Sequence, residues 1–286
     1  MNKDRFSPIS RLIRYALEED LGPGDVTTDA TIAPEIPGEA ILIAREKLVL
    51  AGMAVFKQTF LEIDPTLTFV ERYKDGEAIP AGSTVCRIRG RLAAILSGER
   101  TALNFLQRMS GIASLTRRYV EKTRETQAKI LDTRKTAPGL RWFDKYAVRT
   151  GGGHNHRFGL FDGILIKDNH IAAAGSISKA VSLAKERSAH TLRVGVEVED
   201  LSGAKEACEA GADIILLDNM TPEAMKEAVR LINGRALVEA SGGINQDTVE
   251  EIAGTGVDFI SVGALTHSPA AADLSLEISR ARGVRR

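Results

Sequence analysis

The sequence predicts an antiparallel sheet with helices packed on it, followed by a parallel α/β domain. Three observations predict this. Short strand-like runs separated by Pro- and Gly-containing turns fill the first hundred residues. Beyond residue 129, apolar runs of strand length alternate with stretches of helical periodicity, the pattern of βα units. Between the two lies one long helical pattern that leads from the first domain into the second.

The elements follow in order. Ile9, Leu12, Ile13, Ala16 and Leu17 fall at helical spacing, and the turn Leu21–Gly24 (LGPG) ends that helix. Strand-like runs cover Ala40–Ala44, Leu67–Tyr73 and Thr84–Ile88. From Ser97 to Glu125 a helix carries an apolar stripe of Ala102, Phe105, Leu106, Met109, Ile112 and Ala113. Arg100, Asn104, Gln107, Arg108 and Gly111 gather on its other side, a polar face with two arginines and no carboxylate. Six strands follow at Lys129–Leu131, Gly163–Ile166, Val194–Val198, Asp213–Leu217, Ala236–Val238 and Phe259–Val262. Helices suit Ser176–Arg187, Gly203–Ala210, Pro222–Ile232 and Thr248–Ala253. Six strands fit an incomplete α/β barrel, and a doubly wound open sheet is the competing arrangement.

Each of the six strands ends in polar residues or glycine. The first is followed by Asp132, Thr133, Arg134 and Lys135, the second by Lys167, Asp168, Asn169 and His170. Glu197 and Glu199 end the third, Asp218 and Asn219 the fourth. The fifth runs into Glu239, Ser241, Gly242 and Gly243, and the sixth into Gly263. In parallel α/β folds the C-terminal strand ends share one rim, and ligands bind there.

Composition limits what that rim can serve. The 286-residue chain balances 38 Lys+Arg against 38 Asp+Glu, which gives no support to bulk attraction to nucleic acid or to an anionic membrane. Two cysteines, Cys86 and Cys208, form no disulfide framework and no CxxC metal site. The N-terminus lacks the apolar core of a signal peptide, and no apolar run reaches the roughly 18 residues of a membrane span. A soluble, cytoplasmic protein is the expectation.

The charge is nevertheless divided. Between Asp132 and Lys167 stand seven Lys/Arg and three Asp, whereas Thr191–Ser261 holds fourteen Asp/Glu and five Lys/Arg. The basic stretch suits a small polyanion: Arg134, Arg157 and Arg141 offer planar forks, Lys135 and Lys167 point charges. Pairing with Asp132, Asp144 and Asp162 accounts for only three of those cations. Gly151–Gly153 would let the backbone turn sharply and present His154 and His156 to the pocket. SGGI at Ser241–Ile244 and SVGAL at Ser261–Leu265 are glycine-containing loops that let backbone N–H groups approach a phosphate. Glu197 and Asp218 could hold Mg²⁺, accept hydrogen bonds from ribose hydroxyls, or stand as solvated carboxylates. The absence of an H-E-x-x-H motif, and arginine beside His156, argue against zinc.

These residues resemble the quinolinate phosphoribosyltransferase family, the type II phosphoribosyltransferases. EEDLGPGDVTTD, ERTALNFLQRMSGIAS, DTRKTAPGLR, KYAVRTGGGHNHRFGLFDGILIKDNH, VEVE, LLDNM, EASGGI and SVGALTHS carry the resemblance, which is nearly full-length. Thr150 departs from a pattern in which cysteine precedes the triple glycine, at a place where the chemistry needs no thiol.

The resemblance implies an N-terminal α/β sandwich domain over residues 1–111 and 267–286, and an incomplete α/β barrel over 112–266. It implies transfer of phosphoribose from 5-phosphoribosyl-1-pyrophosphate to quinolinate with decarboxylation, giving nicotinate mononucleotide, pyrophosphate and CO₂ on the route to NAD. Arg134, His156, Arg157 and Lys167 would hold the quinolinate carboxylates, with Arg100 arriving from the partner of a homodimer or larger homo-oligomer. Thr133 and Lys135 would contact substrate, Lys135 through quinolinate or pyrophosphate oxygens. Glu197 and Asp218 would serve the ribose hydroxyls and Mg²⁺, and Ser241, Gly242, Gly243 and Gly263 the 5′-phosphate. Lys135, Lys167, Glu197 and Asp218 are the implied catalytic set. A related transferase with another acceptor, or a non-catalytic phosphosugar-binding barrel, are the rival readings.

Overall fold

A computed structural model describes residues 8–281. Residues 1–7 and 282–286, assigned from the sequence to the first domain, lie outside the described residues. The chain divides into two compact units. One runs up to Leu115 and includes Pro138–Gly151 and the chain from Pro269 onwards; the other comprises Thr116–Ala137 and Gly152–Ser268.

The described residues begin with α1 (Pro8–Leu21) and α2 (Val26–Thr31), the latter capped by Asp25, whose side chain accepts the Thr28 N–H. There follow β1 (Pro37–Ala44), β2 (Leu48–Val49), α3 (Met53–Ile63), β3 (Thr68–Glu71), β4 (Ala78–Ile79), β5 (Thr84–Arg91) and the long α4 (Leu92–Thr123). Next come β6 (Lys129–Leu131), α5 (Arg141–Thr150), β7 (Ile164–Ile166), α6 (Asp168–Ala174), α7 (Ile177–Arg187) and β8 (Val194–Val198). The chain then continues through α8 (Leu201–Glu209), β9 (Ile214–Asp218), α9 (Pro222–Ile232), β10 (Leu237–Ser241), α10 (Val249–Ala253) and β11 (Phe259–Ser261). The described residues end with α11 (Ala264–His267) and β12 (Leu274–Ala281).

In the first unit the antiparallel sheet has the order β12-β1-β5-β3. Period-two alternation buries Ala40, Leu42 and Ala44 of β1 on one face. They pack in a core with Phe56 and Phe60, whose rings meet edge-to-face at 5.2 Å. The short pair β2-β4 and the returning β12 are strands that the apolar patterning does not mark.

The expected apolar stripe of α4 is buried throughout. Its polar face is covered, in part, by the chain itself. The Gln107 side chain donates to Leu274 O at 2.8 Å, and Ala272 N–H donates to Gln107 O at 2.9 Å. Gly111 is what permits this approach: a Cβ there would stand 2.0 Å from Ala270 O. Arg108 pairs with Asp144 of α5, so the face is not free of carboxylate partners. Arg100 and Asn104 remain exposed.

The second unit holds one parallel sheet of order β6-β11-β10-β9-β8-β7. From β7 to β11 every new strand joins on the same side of the one before, and β6 then pairs with β11. That is the winding of a barrel left open between β6 and β7; a doubly wound sheet would reverse direction partway. No helix among the described residues is long and apolar enough to cross a membrane.

Candidate active site

The C-terminal ends of the six parallel strands enclose a cavity of about 290 Å³. Strand register explains which side chains enter it. Glu197 of β8 pairs with Leu216 of β9, Leu216 with Glu239 of β10, and Asp218 with Ser241. Residues two apart on a strand share a face, so Leu216 and Asp218, and likewise Glu239 and Ser241, all line the cavity. Thr133, Arg134 and Lys135 join from the loop after β6, Lys167 from the end of β7, and Ser261 from β11.

The loop before β7 supplies His156 and Arg157 and is tied to β6 at several points. His154 N–H donates to Ile130 O at 2.8 Å and Asp132 N–H to His154 O at 3.2 Å. The fully buried Asp132 accepts from Asn155 Nδ2 at 2.5 Å and from the His156 N–H at 2.9 Å. Gly152 turns the chain with φ +97°, a conformation that favours glycine. His154 thus contributes backbone rather than imidazole: its side chain is exposed and does not line the cavity, contrary to the expectation that both histidines face it. Arg141 likewise is not a cavity residue; it opens α5 and clusters with the first unit.

Of the acidic groups in the basic stretch, Asp162 accepts the N–H groups of Phe158 and Gly159 at 2.7 and 2.8 Å, and Asp144 pairs with Arg108. Arg157 Nη1 donates to Gly163 O at 2.8 Å, which fixes the guanidinium at the cavity wall. Burial and then the neighbouring Arg134 charge shift its pKa down, partly offset by Asp162. Two like cations forced together in this way favour an anion between them. Lys167 Nζ contacts the Glu197 carboxylate.

Gly242 and Gly243 form the turn out of β10, at φ +95° and +60°. A Cβ on Gly242 would lie 2.3 Å from Asn219 Oδ1, so the turn packs against the loop that follows Asp218. Gly263 approaches Lys135 Cδ, 3.2 Å from where its own Cβ would be. Thr266 Oγ1 donates to Lys135 O at 2.8 Å, anchoring the Lys135 loop to α11. Arg100 lies on α4 in the first unit, exposed.

A strand ending at Val238, as the sequence predicts, makes Glu239 a rim residue just past it. It sits instead inside β10, 2% exposed, accepting a hydrogen bond from Ser261 Oγ. His156 Nε2 stands 3.6 Å from the same oxygen, Oε1. Burial, with some repulsion from Glu197, pushes its pKa up to about 7 against the lowering effect of the Ser261 bond. The signal for it was available: one carboxylate inside the apolar run Leu237, Val238, Ala240.

Among the described residues no three His, Cys, Asp or Glu cluster closely enough to cage a metal ion. Glu197 and Asp218 instead offer oxygen ligands from one side of the cavity. That donor set suits Mg²⁺, which keeps several waters and takes its remaining ligands from substrate.

The chain matches established families along its length. Residues 25–110 match the N-terminal domain and residues 112–277 the C-terminal domain of quinolinate phosphoribosyl transferase. It is 43% identical to the probable nicotinate-nucleotide pyrophosphorylase [carboxylating] of Bacillus subtilis, covering 95% of this chain and 93% of that protein. It is 45% identical to quinolinate phosphoribosyltransferase [decarboxylating] 1b of Nicotiana tabacum, over 93% of this chain and 81% of that one. Among solved structures, NadC from Streptococcus pyogenes superposes with a TM-score of 0.91 at 44% identity, covering 95% and 97% of the two chains. With both domains matched in order, and the cavity built from the segments that carry the resemblance, the chain belongs to the quinolinate phosphoribosyltransferase family.

Proposed function

We propose that the protein transfers the phosphoribosyl group of 5-phosphoribosyl-1-pyrophosphate to the ring nitrogen of quinolinate, with loss of CO₂. The products are nicotinate mononucleotide and pyrophosphate. The observation that carries this is the cavity's lining, which combines the cations Arg134, Lys135, Arg157 and Lys167 with Glu197, Asp218 and Ser241, Lys167 meeting Glu197. The cations suit a dicarboxylate and a departing pyrophosphate, and the carboxylates and hydroxyl a ribose and its phosphate.

In the transfer the bond from ribose C1′ to pyrophosphate oxygen breaks and a bond from C1′ to the pyridine nitrogen forms. Arg134, His156, Arg157 and Lys167 hold the two acceptor carboxylates, so the nitrogen faces C1′ and much of the barrier is met by positioning. Thr133 closes the turn under these groups: its Oγ1 accepts the Lys135 N–H at 3.1 Å. Lys135 and Lys167 are placed to balance the charge of leaving pyrophosphate, an electrostatic contribution made before the reaction begins. Glu197 and Asp218 take the ribose hydroxyls and would hold Mg²⁺, which when bound neutralises diphosphate charge. Ser241, Gly242, Gly243 and Gly263 receive the 5′-phosphate through hydroxyl and backbone N–H groups.

Once alkylated, the ring nitrogen accepts the electron pair of the adjacent C2–carboxylate bond. CO₂ leaves and C2 takes up one proton, so no redox partner is required. Lys135, Lys167 or water supplies that proton.

Arg100, exposed on α4, completes the acceptor site from a second copy of the chain in a homodimer or larger assembly. Its exposure supports that role. The protein works on small molecules in the cytoplasm, with neither nucleic acid nor membrane as partner.

Release of labelled CO₂ from carboxyl-labelled quinolinate, dependent on the phosphoribosyl donor, tests the reaction. Nucleotide formation with nicotinate as the sole productive acceptor, or no release of CO₂ from quinolinate, rejects it. For Arg100, mixing inactive Arg100→Ala with inactive Lys167→Ala should restore partial activity through hybrid assemblies. Mixtures as inactive as either variant would place Arg100 outside the partner's site.

A further inference from the structure

An acid in the wall of a cavity built for a dianion needs a reason. Glu239 is almost wholly buried, and no lysine or arginine pairs with it among the described residues. As a carboxylate it would face Glu197 and a doubly negative ligand in a medium that screens poorly. As a carboxylic acid it carries no such cost, and it gains a donor.

The surrounding hydrogen bonds say where that donor points. Arg157 N–H donates to His156 Nδ1 at 2.7 Å, so the proton of the neutral ring is on Nε2. That nitrogen faces Glu239 Oε1 at 3.6 Å, and Ser261 Oγ–H donates to the same Oε1. Ser261 therefore presents its hydrogen to Oε1, which acts as the carbonyl oxygen, while the His156 nitrogen at 3.6 Å lies beyond hydrogen-bond reach of it. Oε2 accepts from no described residue and retains access to the cavity. The acid proton belongs on Oε2.

We propose that Glu239 binds the acceptor directly in its neutral form, donating an O–H···O⁻ hydrogen bond from Oε2 to a carboxylate of the pyridine dicarboxylate. This rests on the transfer reaction proposed above and adds a specificity element to it. A charge-assisted bond of this kind discriminates for a carboxylate on that side of the ring. Burial, which pushes its pKa up to about 7, agrees with the geometry.

The charged groups around Glu239 set how binding depends on pH. His156 and Glu197 are nearest, with Glu197 favouring the protonated acid. Arg134, Lys135, Arg157 and Lys167 favour the carboxylate, and Asp218 opposes them. β11 contributes only the neutral Ser261. A dianion entering this set adds negative charge and tightens the hold on the Glu239 proton. Binding above neutrality should therefore take up a proton.

The test is calorimetric binding of quinolinate to the full-length protein without divalent cations, from about pH 6 to 8.5, in buffers of different ionisation enthalpy. Wild type should take up close to one proton above neutrality, its affinity falling about tenfold per pH unit. Glu239→Gln keeps a neutral donor and should bind within about threefold of the low-pH wild type, its pH dependence flattened. Glu239→Ala should bind roughly tenfold or more weakly. A Gln variant as weak as the Ala variant overturns the proposal, as does wild-type binding without proton uptake. His156 protonation would also favour the anion at low pH, so a Gln variant that keeps the wild-type pH profile assigns the effect to His156 and overturns the proposal too. If Glu239→Ala does not fold, the Gln comparison alone decides. Wild-type protein that neither binds quinolinate nor releases CO₂ from it faults the reaction instead.

Discussion

Arg108 meets Asp144 through two parallel hydrogen bonds of 2.8 Å, Nε to Oδ1 and Nη2 to Oδ2. The Asp144 side chain is 0% exposed and that of Arg108 26%. The pair joins α4 to α5, where Phe105 also packs on Phe143 at 5.0 Å between ring centroids. This link and the Tyr146 hydroxyl, donating to Asp75 at 2.7 Å, account for the clustering of Pro138–Gly151 with the first unit. Removing one partner strands a buried charge, so Asp144→Ala and Arg108→Ala should each cost about 3 kcal/mol in denaturant unfolding. The double variant should cost clearly less than the sum. Strict additivity would show that the pair contributes nothing by its pairing.

Asp132 is a second buried carboxylate with a positional task. It accepts from the Asn155 side chain and the His156 backbone, and so sets where His156 and Arg157 enter the cavity. Asp132→Ala leaves those donors without their acceptor and should lower stability by about 2–4 kcal/mol. It should also raise KM for the acceptor more than KM for the phosphoribosyl donor, because the proposed function gives His156 and Arg157 of the disturbed loop the acceptor carboxylates. Equal changes in the two KM values would argue against that assignment.

The parallel sheet was legible because each strand is a short apolar run that ends abruptly in charge or glycine. Val194–Val198 into Asp200, and Ile214–Leu217 into Asp218, are examples. Strand order was not legible, since pairing is decided by packing rather than by local pattern; β6 beside β11 rather than β7 follows from the barrel's winding. β12 escaped for a related reason: Ser275, Glu277 and Ser279 alternate with apolar residues, yet its partner β1 lies more than two hundred residues away. On α4 the two arginines were visible, but the acid that takes Arg108 comes from α5, which helical periodicity alone could not assign to that face. Glu239 was hidden by the approximate end assigned to its strand, and only the register of β9 and β10 turns it inward.

Gly242 carries a prediction about the loop proposed to take the 5′-phosphate. Its φ of +95° is strained for any side chain, and a Cβ would collide with Asn219 Oδ1 at 2.3 Å and with the Asn219 backbone nitrogen at 2.7 Å. Relief requires the turn to move away from the loop after Asp218. Gly242→Ala should therefore raise KM for the phosphoribosyl donor about tenfold or more, while stability falls by only about 1–3 kcal/mol. Steady-state kinetics with each substrate varied in turn checks this. An unchanged donor KM would remove the loop from phosphate binding.

Glu239 also predicts how stability responds to pH. Its acid is pushed up to about 7 in the folded protein from a reference value of 4.5. Between those values the folded state keeps a proton that the unfolded chain releases, so the unfolded state binds fewer protons. Stability from this group is then highest below pH 4.5 and declines as pH rises toward 7, beyond which the full penalty applies. For a side chain this buried, the two and a half pH units between 4.5 and about 7 correspond to about 3 kcal/mol. Glu239→Gln removes the titration and with it the penalty. The stability of the variant relative to wild type should rise by about that much from pH 4.5 to about pH 8, measured by urea unfolding across the range. The comparison cancels every other titrating group that the two proteins share. A difference that stays flat across the range would mean that Glu239 is already ionised when folded, held by partners that this geometry does not supply.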